Sequence, residues 1–454
     1  MNNSKPNYLP AFIAVTTLFF LWGFITVLVD ALVPRLKEVF ELQGIQAVAV
    51  QFAWFTAYLL FSIPGAYIIG KIGYKKGAIL GLILIASGAL LFYPAAGLRV
   101  FGLFLFALFV MASGITFLQV AANPYIAVLG HPEGASKRLN LAQAFNSLGT
   151  TIAPILSAFF ILSDKVKTSD EIKLLSDTAK ESYFASEASS VQSLFVGLAL
   201  FTFALAGGFA MIKLPKIISS TGSGMFQGFG GALKNKNLLF GAIGIFIYVG
   251  AEVSIGTYLP RYFVELGLAE VISQSSSLSA IVQFLSSTFT GKDLADLDPK
   301  GIVGSFVMFY WFGAMVGRFI GSLLTSIMSP RKVLAMFGVG AITLIVISLM
   351  STGLIAMWSI LAVGLFNSIM FPTIFTLSIG TLKELKPQGS GILCTAIFGG
   401  AIIPGLTVWM IDNYSFQVGF GLLTLAYFYI AFYGWKIATP GSENDQSELE
   451  KVAA

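Results

Sequence analysis

Apolar segments of about 20 residues recur along the whole length of this chain. A helix of about that length spans the hydrocarbon core of a bilayer, whereas spanning β-strands would show about ten residues of alternating character. Hydrophobic residues make up 56% of the 454 residues and charged residues 11%, against about 25% charged in soluble proteins. The sequence therefore predicts an all-α membrane protein that crosses the bilayer many times.

Hydropathy and helix-breaking residues predict twelve transmembrane helices in two six-helix bundles, with both termini on one side. The predicted helices 1 to 12 lie at about 9–36, 46–69, 77–96, 99–128, 138–162, 191–213, 237–262, 302–326, 332–352, 354–378, 390–411 and 415–437. The expected divisions are an N-terminal bundle at 1–213, a cytoplasmic linker at 214–236, a C-terminal bundle at 237–437 and a disordered tail at 438–454. The first apolar segment is too long for the core of a signal peptide, so it is interpreted as a retained helix.

Basic residues are concentrated on one side of the predicted helices. They are Lys5, Lys71, Lys75, Lys76, Lys137, Arg138, Lys213, Lys216, Lys234, Lys236, Arg331, Lys332, Lys383, Lys386 and Lys436. The other side holds most of the acids, in polar loops predicted at 163–190 and 263–300. The positive-inside rule then places both termini in the cytoplasm.

The composition excludes several kinds of chemistry. Cys394 is the one cysteine, so no intrachain disulfide can form, and His131 is the one histidine. A Cys/His zinc site and a Ser-His-Asp triad inside the membrane are therefore not expected. The net charge of +5 is spread over short loops, which the positive-inside rule explains without a nucleic-acid partner. We expect no enzyme activity and no cofactor.

The two halves resemble each other. The dipeptide Pro-Arg near the end of helix 1, at 34–35, matches Pro-Arg near the end of helix 7, at 260–261. Helices 4 and 10 carry Pro124 and Pro372 at corresponding places. Duplicated helical halves with the substrate at their interface are typical of transporters. Coincidental placement of proline in apolar sequence is the alternative.

One carboxylate, Asp30, stands inside the first apolar segment. A charge at the centre of a membrane helix costs about 2.5–3.5 kcal/mol on insertion scales, so such a residue is read as functional by default. Asp30 therefore predicts a transport or coupling role. The alternative is a pair with Arg35 at the membrane interface, since Arg35 follows within two turns.

Four amides stand in otherwise apolar helices. Gln119 and Asn123 share one face of helix 4, and Gln143 and Asn146 share one face of helix 5. An amide offers both donors and acceptors, as sugar hydroxyls do. The group of four predicts a polar cavity that binds a polyol, and the alternative is hydrogen bonding between helices.

Helix 7 contains the second carboxylate predicted to lie inside a span. Glu252 is a candidate for cation coupling, and the alternative is a hydrogen bond at a bend or unwound turn beside Gly250 and Gly256. When the prolines of helices 4 and 10 are matched, Asn367 falls opposite Gln119 and is predicted to line the other wall. Weaker candidates are Gln51, Tyr58 and Arg318. We expect the arginine to anchor helix 8 at its cytoplasmic end.

Several long motifs carry a family resemblance. They are LWGF with the following Asp and Pro at 21–34, LQVAANPYIAVLG at 118–130, RLNLAQAFNSLGTTIAP at 138–154, YVGAEVSIGTYL in helix 7, VGRFIGSLL in helix 8 and FPTIFTLSIG in helix 10. In these motifs the chain resembles the bacterial fucose–proton symporter family of the major facilitator superfamily, and more closely its glucose/galactose transporter branch. The resemblance extends over nearly the whole chain and implies the major facilitator fold.

The resemblance also implies roles for single residues. The family's coupling aspartate in helix 1 matches Asp30, its sugar-contacting glutamine in helix 5 matches Gln143, and its helix 1 tryptophan matches Trp22, a stacking face for a pyranose ring. The chain departs from the fucose transporters at Gln119, where they have a glutamate, and at Val27, where they have an asparagine. An amide cannot titrate, so the proton mechanism of the fucose transporters does not transfer whole.

The resemblance implies a cation-coupled hexose importer of the bacterial inner membrane, with glucose or galactose as the expected sugar. The coupling ion is left open between H⁺ and Na⁺, and a Na⁺ would bind at Asp30. The expected partners are the sugar, the cation and the bilayer, and the expected state is a monomer. The alternatives are transport of fucose, mannose, fructose or N-acetylglucosamine, an exporter of amphipathic compounds, a membrane-embedded enzyme and a passive channel.

Overall fold

The apolar segments form helices, since a backbone that crosses a bilayer must satisfy its N–H and C=O groups within the same segment. A computed structural model describes residues 8–39, 44–161, 174–215, 226–289 and 293–438. Side chains are described in these ranges except at 28–39, 44–48, 154–161, 187, 190 and 289. Of the predicted tail at 438–454, only Ala438 falls within the described part.

The first half consists of six long helices. They are α1 (Leu9–Val39), α2 (Gly44–Ile72), α3 (Tyr74–Leu98), α4 (Phe101–Val128), α5 (Ala135–Ile161) and α6 (Asp177–Met211). A short helix in the predicted linker, α7 (Phe229–Leu233), precedes the second half. The helices of the second half are α8 (Lys236–Glu265), α9 (Leu268–Gln274), α10 (Ser276–Phe289), α11 (Pro299–Gly304), α12 (Val307–Ile327), α13 (Pro330–Met350), α14 (Gly353–Asn367), α15 (Met370–Ile379), α16 (Lys386–Thr395), α17 (Gly399–Asn413) and α18 (Phe416–Phe432).

The described residues contain eleven segments long and apolar enough to cross a membrane. α5 completes the twelve-helix architecture as a more polar span, because its described part includes Lys137, Arg138, Asn140 and Gln143. The predicted all-α fold of two six-helix bundles is confirmed. Below, the side on which α1 begins and α18 ends is called the terminal side, and the opposite side is called the loop side.

Three predicted helices of the second half are interrupted. Helix 8 divides into α11 and α12, helix 10 into α14 and α15, and helix 11 into α16 and α17. The break in helix 10 has a clear cause, because Pro372 has no N–H to bond the carbonyl of Ser368. Hydropathy did not reveal these breaks, since both pieces of each span are apolar.

Predicted helix 7, in contrast, is more continuous in the structure than the sequence predicted. The sequence predicted a bend or an unwound turn beside Gly250 and Gly256, but α8 is one helix from Lys236 to Glu265. The two glycines allow neighbours to approach closely instead: a Cβ at Gly250 would lie 2.5 Å from Ile403, and one at Gly256 would lie 2.8 Å from Trp311.

The two long polar loops were predicted wrongly in part. α6 begins at Asp177, well before the predicted residue 191, and Ser176 caps it by accepting a hydrogen bond from Ala179 N at 3.4 Å. Within 263–300, the described residues form the end of α8, then α9, α10 and the first two residues of α11. α10 buries Leu278, Val282 and Leu285. Their spacing of four and three residues is that of one helix face, which explains why this polar stretch folds against the bundle.

The two halves meet along two pairs of helices. α5 packs along α12, and α2 packs along α16. Within the first half, α1 packs closely on α5, because both helices present a glycine at the crossing. A Cβ at Gly23 would lie 2.3 Å from the carbonyl oxygen of Asn146, and one at Gly149 would lie 2.2 Å from that of Phe20. This contact fixes the position of the polar helix α5 beside the interface.

Candidate functional site

A cavity of about 830 Å³ lies between the two halves. Its described wall comes from α1 and α5 of the first half and from α8, α10, α11 and α12 of the second half. The polar groups on this wall include Thr26, Asn146, Thr150, Glu252 and Arg318. Since α10 and α11 belong to the loop-side connection between α8 and α12, the cavity lies toward the loop side. Its volume falls in the range of about 300–1,000 Å³ that small-molecule sites occupy.

The halves are joined to each other on the terminal side. Ser136 and Thr376 share a hydrogen bond of 2.7 Å between their hydroxyl oxygens, and the Nδ2 of Asn140 donates to the Oγ1 of Thr373 at 3.2 Å. Each of these bonds links α5 of the first half to α15 of the second half. The structure thus has a cavity of about 830 Å³ toward the loop side, and toward the terminal side a hydrogen-bonded interface beside a smaller cavity of about 400 Å³ that Ser136 and Thr376 also line.

A proline contributes to this interface. Pro124 lacks an N–H, so the carbonyl of Val120 loses its normal partner within α4. The hydroxyl of Ser390, on α16 of the other half, donates to that carbonyl at 2.9 Å. Both Val120 and Ser390 are fully buried, and a buried carbonyl requires such a partner.

Arg318 uses the corresponding proline of the second half. Its Nε donates at 3.2 Å to the carbonyl of Ser368, which Pro372 leaves without a helical partner. Its Nη1 donates to the carbonyl of Gln143 at 3.3 Å and to the hydroxyl of Ser147, both on α5. The expectation that Arg318 anchors helix 8 at the cytoplasmic end was therefore wrong. The guanidinium lies in the cavity wall and bonds to both halves.

Glu252 also lies in the cavity wall. Its carboxylate interacts electrostatically with the Arg318 guanidinium and with the hydroxyl of Tyr248. No direct ion pair between Glu252 and Arg318 occurs among the described contacts, although both residues line the cavity. The cation-coupling role of Glu252 stays a prediction.

The four predicted amides take two different positions. Asn146 reaches the described cavity wall, and its Nδ2 also donates to the carbonyl of Phe19 at 2.8 Å. Gln119 donates from Nε2 to the hydroxyl of Tyr58 at 2.6 Å. These two bonds join different helices, which is the alternative role considered for membrane amides. Gln143 is buried about one helical turn from Asn146, toward the terminal side, and does not line the described part of the cavity.

Two further predicted residues are fully buried. Asn123 has neither amide atom hydrogen-bonded among the described residues. Asn367 donates from Nδ2 to the hydroxyl of Tyr310 at 2.6 Å. Neither residue lines the described part of the cavity, so a sugar could contact them only after the protein changes conformation.

The residue predicted to stack on the sugar ring also lies outside the described cavity wall. Trp22 is 4% exposed and packs against Phe19, with ring centroids 4.1 Å apart. The tryptophan that lines the cavity is Trp311 on α12, which is 44% exposed. Sequence reasoning did not single out Trp311, although the aromatic run at 310–312 within a span is a visible signal.

Asp30 falls on the α1 backbone, and its side chain lies outside the described part of the structure. Thr26, one turn earlier on the same helix, lines the cavity. The coupling role of Asp30, and the Na⁺ predicted to bind there, stay predictions. Among the residues that the structure describes, no group of three or more His, Cys, Asp or Glu side chains is arranged to hold a metal ion.

Comparison with known proteins gives the family. The Major Facilitator Superfamily model matches residues 8–384. The glucose/galactose transporter of Brucella abortus biovar 1 (strain 9-941) is 44% identical over 432 residues, which is 95% of this chain and 95% of that protein. The L-fucose-proton symporter of Escherichia coli (strain K12) is 32% identical over 403 residues, covering 87% of this chain and 86% of that protein.

A solved structure agrees with these sequence relationships. The crystal structure of the transporter FucP in the outward conformation has a TM-score of 0.82 and 30% identity, over 95% of this chain and 99% of that chain. This chain therefore belongs to the major facilitator superfamily, as a multi-pass sugar transporter related to the glucose/galactose transporters and the L-fucose-proton symporters, and is not an enzyme.

Proposed function

We propose that this protein imports a hexose, glucose or galactose, together with a cation, either Na⁺ or H⁺. The observation that carries the proposal is the cavity of about 830 Å³, with charged, amide and hydroxyl groups in its wall, between two halves that are bonded to each other on the opposite side. A site at the interface of two rocking halves is the arrangement that alternating access requires. The names of relatives up to 44% identical support glucose and galactose as the sugars.

The direction of transport follows from the charges of the loops. The bases concentrated on the terminal side support an orientation in which that side faces the cytoplasm across a bacterial inner membrane, by the positive-inside rule. The cavity then faces outside. A sugar and a cation enter it, the loop side closes, and the hydrogen bonds of the terminal side break to release both inside.

The residues divide between the two cargoes. Asp30 takes the coupling cation, because a carboxylate in a membrane helix can either bind Na⁺ or accept a proton. Asn146 contacts the sugar in the cavity. The sugar reaches Gln143, which lies toward the terminal side of Asn146, as the halves rearrange. The remaining predicted residues complete the inner part of the sugar site. These remaining residues are Trp22, Gln119, Asn123 and Asn367.

The experiment is uptake by the purified protein in proteoliposomes. Glucose, galactose, mannose, fructose, fucose and N-acetylglucosamine are supplied singly, with Na⁺ and proton gradients imposed separately. We expect glucose or galactose to accumulate under one of the two gradients. Accumulation of a different sugar would change the substrate, and equilibration without accumulation under either gradient would refute cation coupling.

The coupling role of Asp30 is tested by Asp30→Asn. We expect this variant to lose concentrative uptake while retaining exchange of labelled for unlabelled sugar, because the amide is nearly the same size but cannot carry the charge. Glu265→Asn, a change on the loop-side end of α8 away from the cavity wall, is the control. Normal accumulation by Asp30→Asn would exclude the role.

A further inference from the structure

The Arg318 side chain is fixed by three hydrogen bonds, but not all of its N–H donors are engaged. A guanidinium has five N–H donors. Nε bonds to Ser368, and Nη1 bonds to Gln143 and Ser147. The remaining nitrogen, Nη2, makes no hydrogen bond to any residue that the structure describes. Since the side chain lines the cavity, its two N–H groups are donors available to a bound molecule.

Glu252 supplies the complementary acceptor. Its carboxylate lines the same cavity and interacts with Arg318 without a direct bond among the described contacts. A carboxylate accepts several hydrogen bonds, and the nearby hydroxyl of Tyr248 makes no hydrogen bond to any described residue. The cavity therefore presents a guanidinium donor and a carboxyl acceptor in the same wall.

Two neighbouring hydroxyls of a pyranose match this pair. Each hydroxyl can both donate and accept, so one accepts from Arg318 while its neighbour donates to Glu252. The bond from Arg318 has an ionised donor, which makes it stronger than a bond between neutral groups. The guanidinium would repel a cationic amino sugar, so the pair suits a neutral sugar better.

An aromatic surface lies on the same face of α12. Trp311 and Arg318 are seven residues apart, which places them on one helix face about 10 Å apart along the axis. The Trp311 indole contacts the Tyr310 ring edge-on at 5.0 Å between centroids and lies against Gly256. These contacts fix the indole in place, and it remains 44% exposed where it lines the cavity.

We propose that Arg318 and Glu252 bind two adjacent hydroxyls of the sugar and that Trp311 packs against the apolar face of its ring. This inference rests on the proposed transport of a hexose. It adds Trp311, which the sequence did not single out, gives Arg318 a role in sugar binding, and assigns Glu252 to the sugar, which leaves the coupling cation to Asp30.

The test combines sugars that lack single hydroxyls with substitutions of single residues. Glucose and its monodeoxy analogues are titrated into the full-length protein in nanodiscs by calorimetry, for the wild type, Arg318→Gln and Glu252→Gln. For the wild type, we expect two analogues that lack adjacent hydroxyls to bind about 10- to 100-fold more weakly than glucose, the range for hydrogen bonds to charged groups. Arg318→Gln should reduce that difference to below about threefold for one of these analogues, and Glu252→Gln for the other.

The ratio of affinities separates sugar contact from a structural effect. Arg318 also joins the two halves, so its loss can weaken the binding of every sugar, but a structural effect leaves the ratio between glucose and each analogue unchanged. Arg261→Gln and Glu265→Gln remove charges outside the cavity wall and serve as controls. Trp311→Ala should weaken glucose and all analogues equally, by about 5- to 100-fold for a lost aromatic surface, whereas Trp409→Ala should not.

Three results would overturn the inference. The first is that the wild type binds glucose, but no two analogues that lack adjacent hydroxyls bind more weakly than glucose. The second is an unchanged deoxy-sugar ratio in both Arg318→Gln and Glu252→Gln. The third is that the wild type binds no hexose, which would also refute the proposed function. The titration of the wild type with glucose distinguishes this result from the first two.

Discussion

Ser390→Ala should shift the balance between the two orientations of the halves. In the structure the Ser390 hydroxyl is the donor to the Val120 carbonyl at 2.9 Å, and Pro124 prevents any backbone N–H from replacing it. The substitution leaves a buried carbonyl without a partner while the terminal side is closed. When the terminal side opens, water can reach the carbonyl. The variant therefore favours the state that is open to the terminal side.

The size of the shift follows from the cost of that unpaired group. A buried acceptor left without a partner costs about 1–3 kcal/mol, which changes the ratio of the two states by about 5- to 150-fold. A value near the upper end is expected, because Val120 and Ser390 are both fully buried. The hydroxyl of Ser136, which bonds to Thr376 across the same interface, offers a comparison: Ser136→Ala leaves Thr376 bonded within its own helix and should shift the ratio less.

The assay measures the distance between the halves on the terminal side. Spin labels on cysteines introduced at Lys76 and Lys332, which are exposed near the starts of α3 and α13, report that distance by pulsed electron paramagnetic resonance. The native Cys394 is buried and is replaced by alanine in every sample. We expect Ser390→Ala to increase the population with the longer distance.

Ser113→Ala is the matched control. The Ser113 hydroxyl donates to the carbonyl of Val110 within α4, so its loss does not affect the contact between the halves. If Ser390→Ala and Ser113→Ala give the same distance distribution as the unsubstituted protein, the inter-half bond does not hold the terminal side closed, and the reasoning is refuted.

Two further substitutions test the buried residues of the first half. Asn123→Leu removes an amide whose two polar atoms lack partners, so it should raise the melting temperature, since each unpaired buried group costs about 1–3 kcal/mol. The same variant should lose sugar uptake, and full uptake by a stabilised protein would show that the amide has no transport role. Gly149→Ala places a Cβ 2.2 Å from the carbonyl oxygen of Phe20 and should lower the melting temperature by at least the equivalent of about 1–3 kcal/mol. Gly207→Ala on α6, where a Cβ would meet nothing within 4 Å, should leave the melting temperature nearly unchanged, and an equal effect of both substitutions would contradict the close contact of α1 with α5.

The sequence predicted the number and order of the spans because hydropathy is a property of each segment alone. The interruptions of helices 8, 10 and 11 depend on details that hydropathy averages out, such as the missing N–H of Pro372. The polar stretch containing α10 was predicted as a loop because its many serines lower its hydropathy, although Leu278, Val282 and Leu285 are spaced as one helix face.

The composition of the site was easier to predict than the direction of its side chains. The amides were identified from their rarity in apolar helices, but only the fold shows that Asn146 reaches the cavity wall while Asn123 is sealed within the bundle. Arg318 was placed at the end of its helix because a charge there is less costly. The three acceptors that make its deeper position acceptable come from α5 and from the break between α14 and α15, and no local pattern indicates them.

The polarity of α5 has a consequence for how the protein is made. A helix carrying Lys137, Arg138, Asn140, Gln143 and Asn146 gains little from entering lipid alone, because each charged or polar group raises the cost of insertion. α1, which is synthesised before α5 and packs against it through paired glycines, offers α5 a protein surface instead of lipid. We therefore expect α5 to leave the translocon together with helices that are already in place, so that damage to the α1–α5 contact appears first as a low yield of inserted protein during biosynthesis.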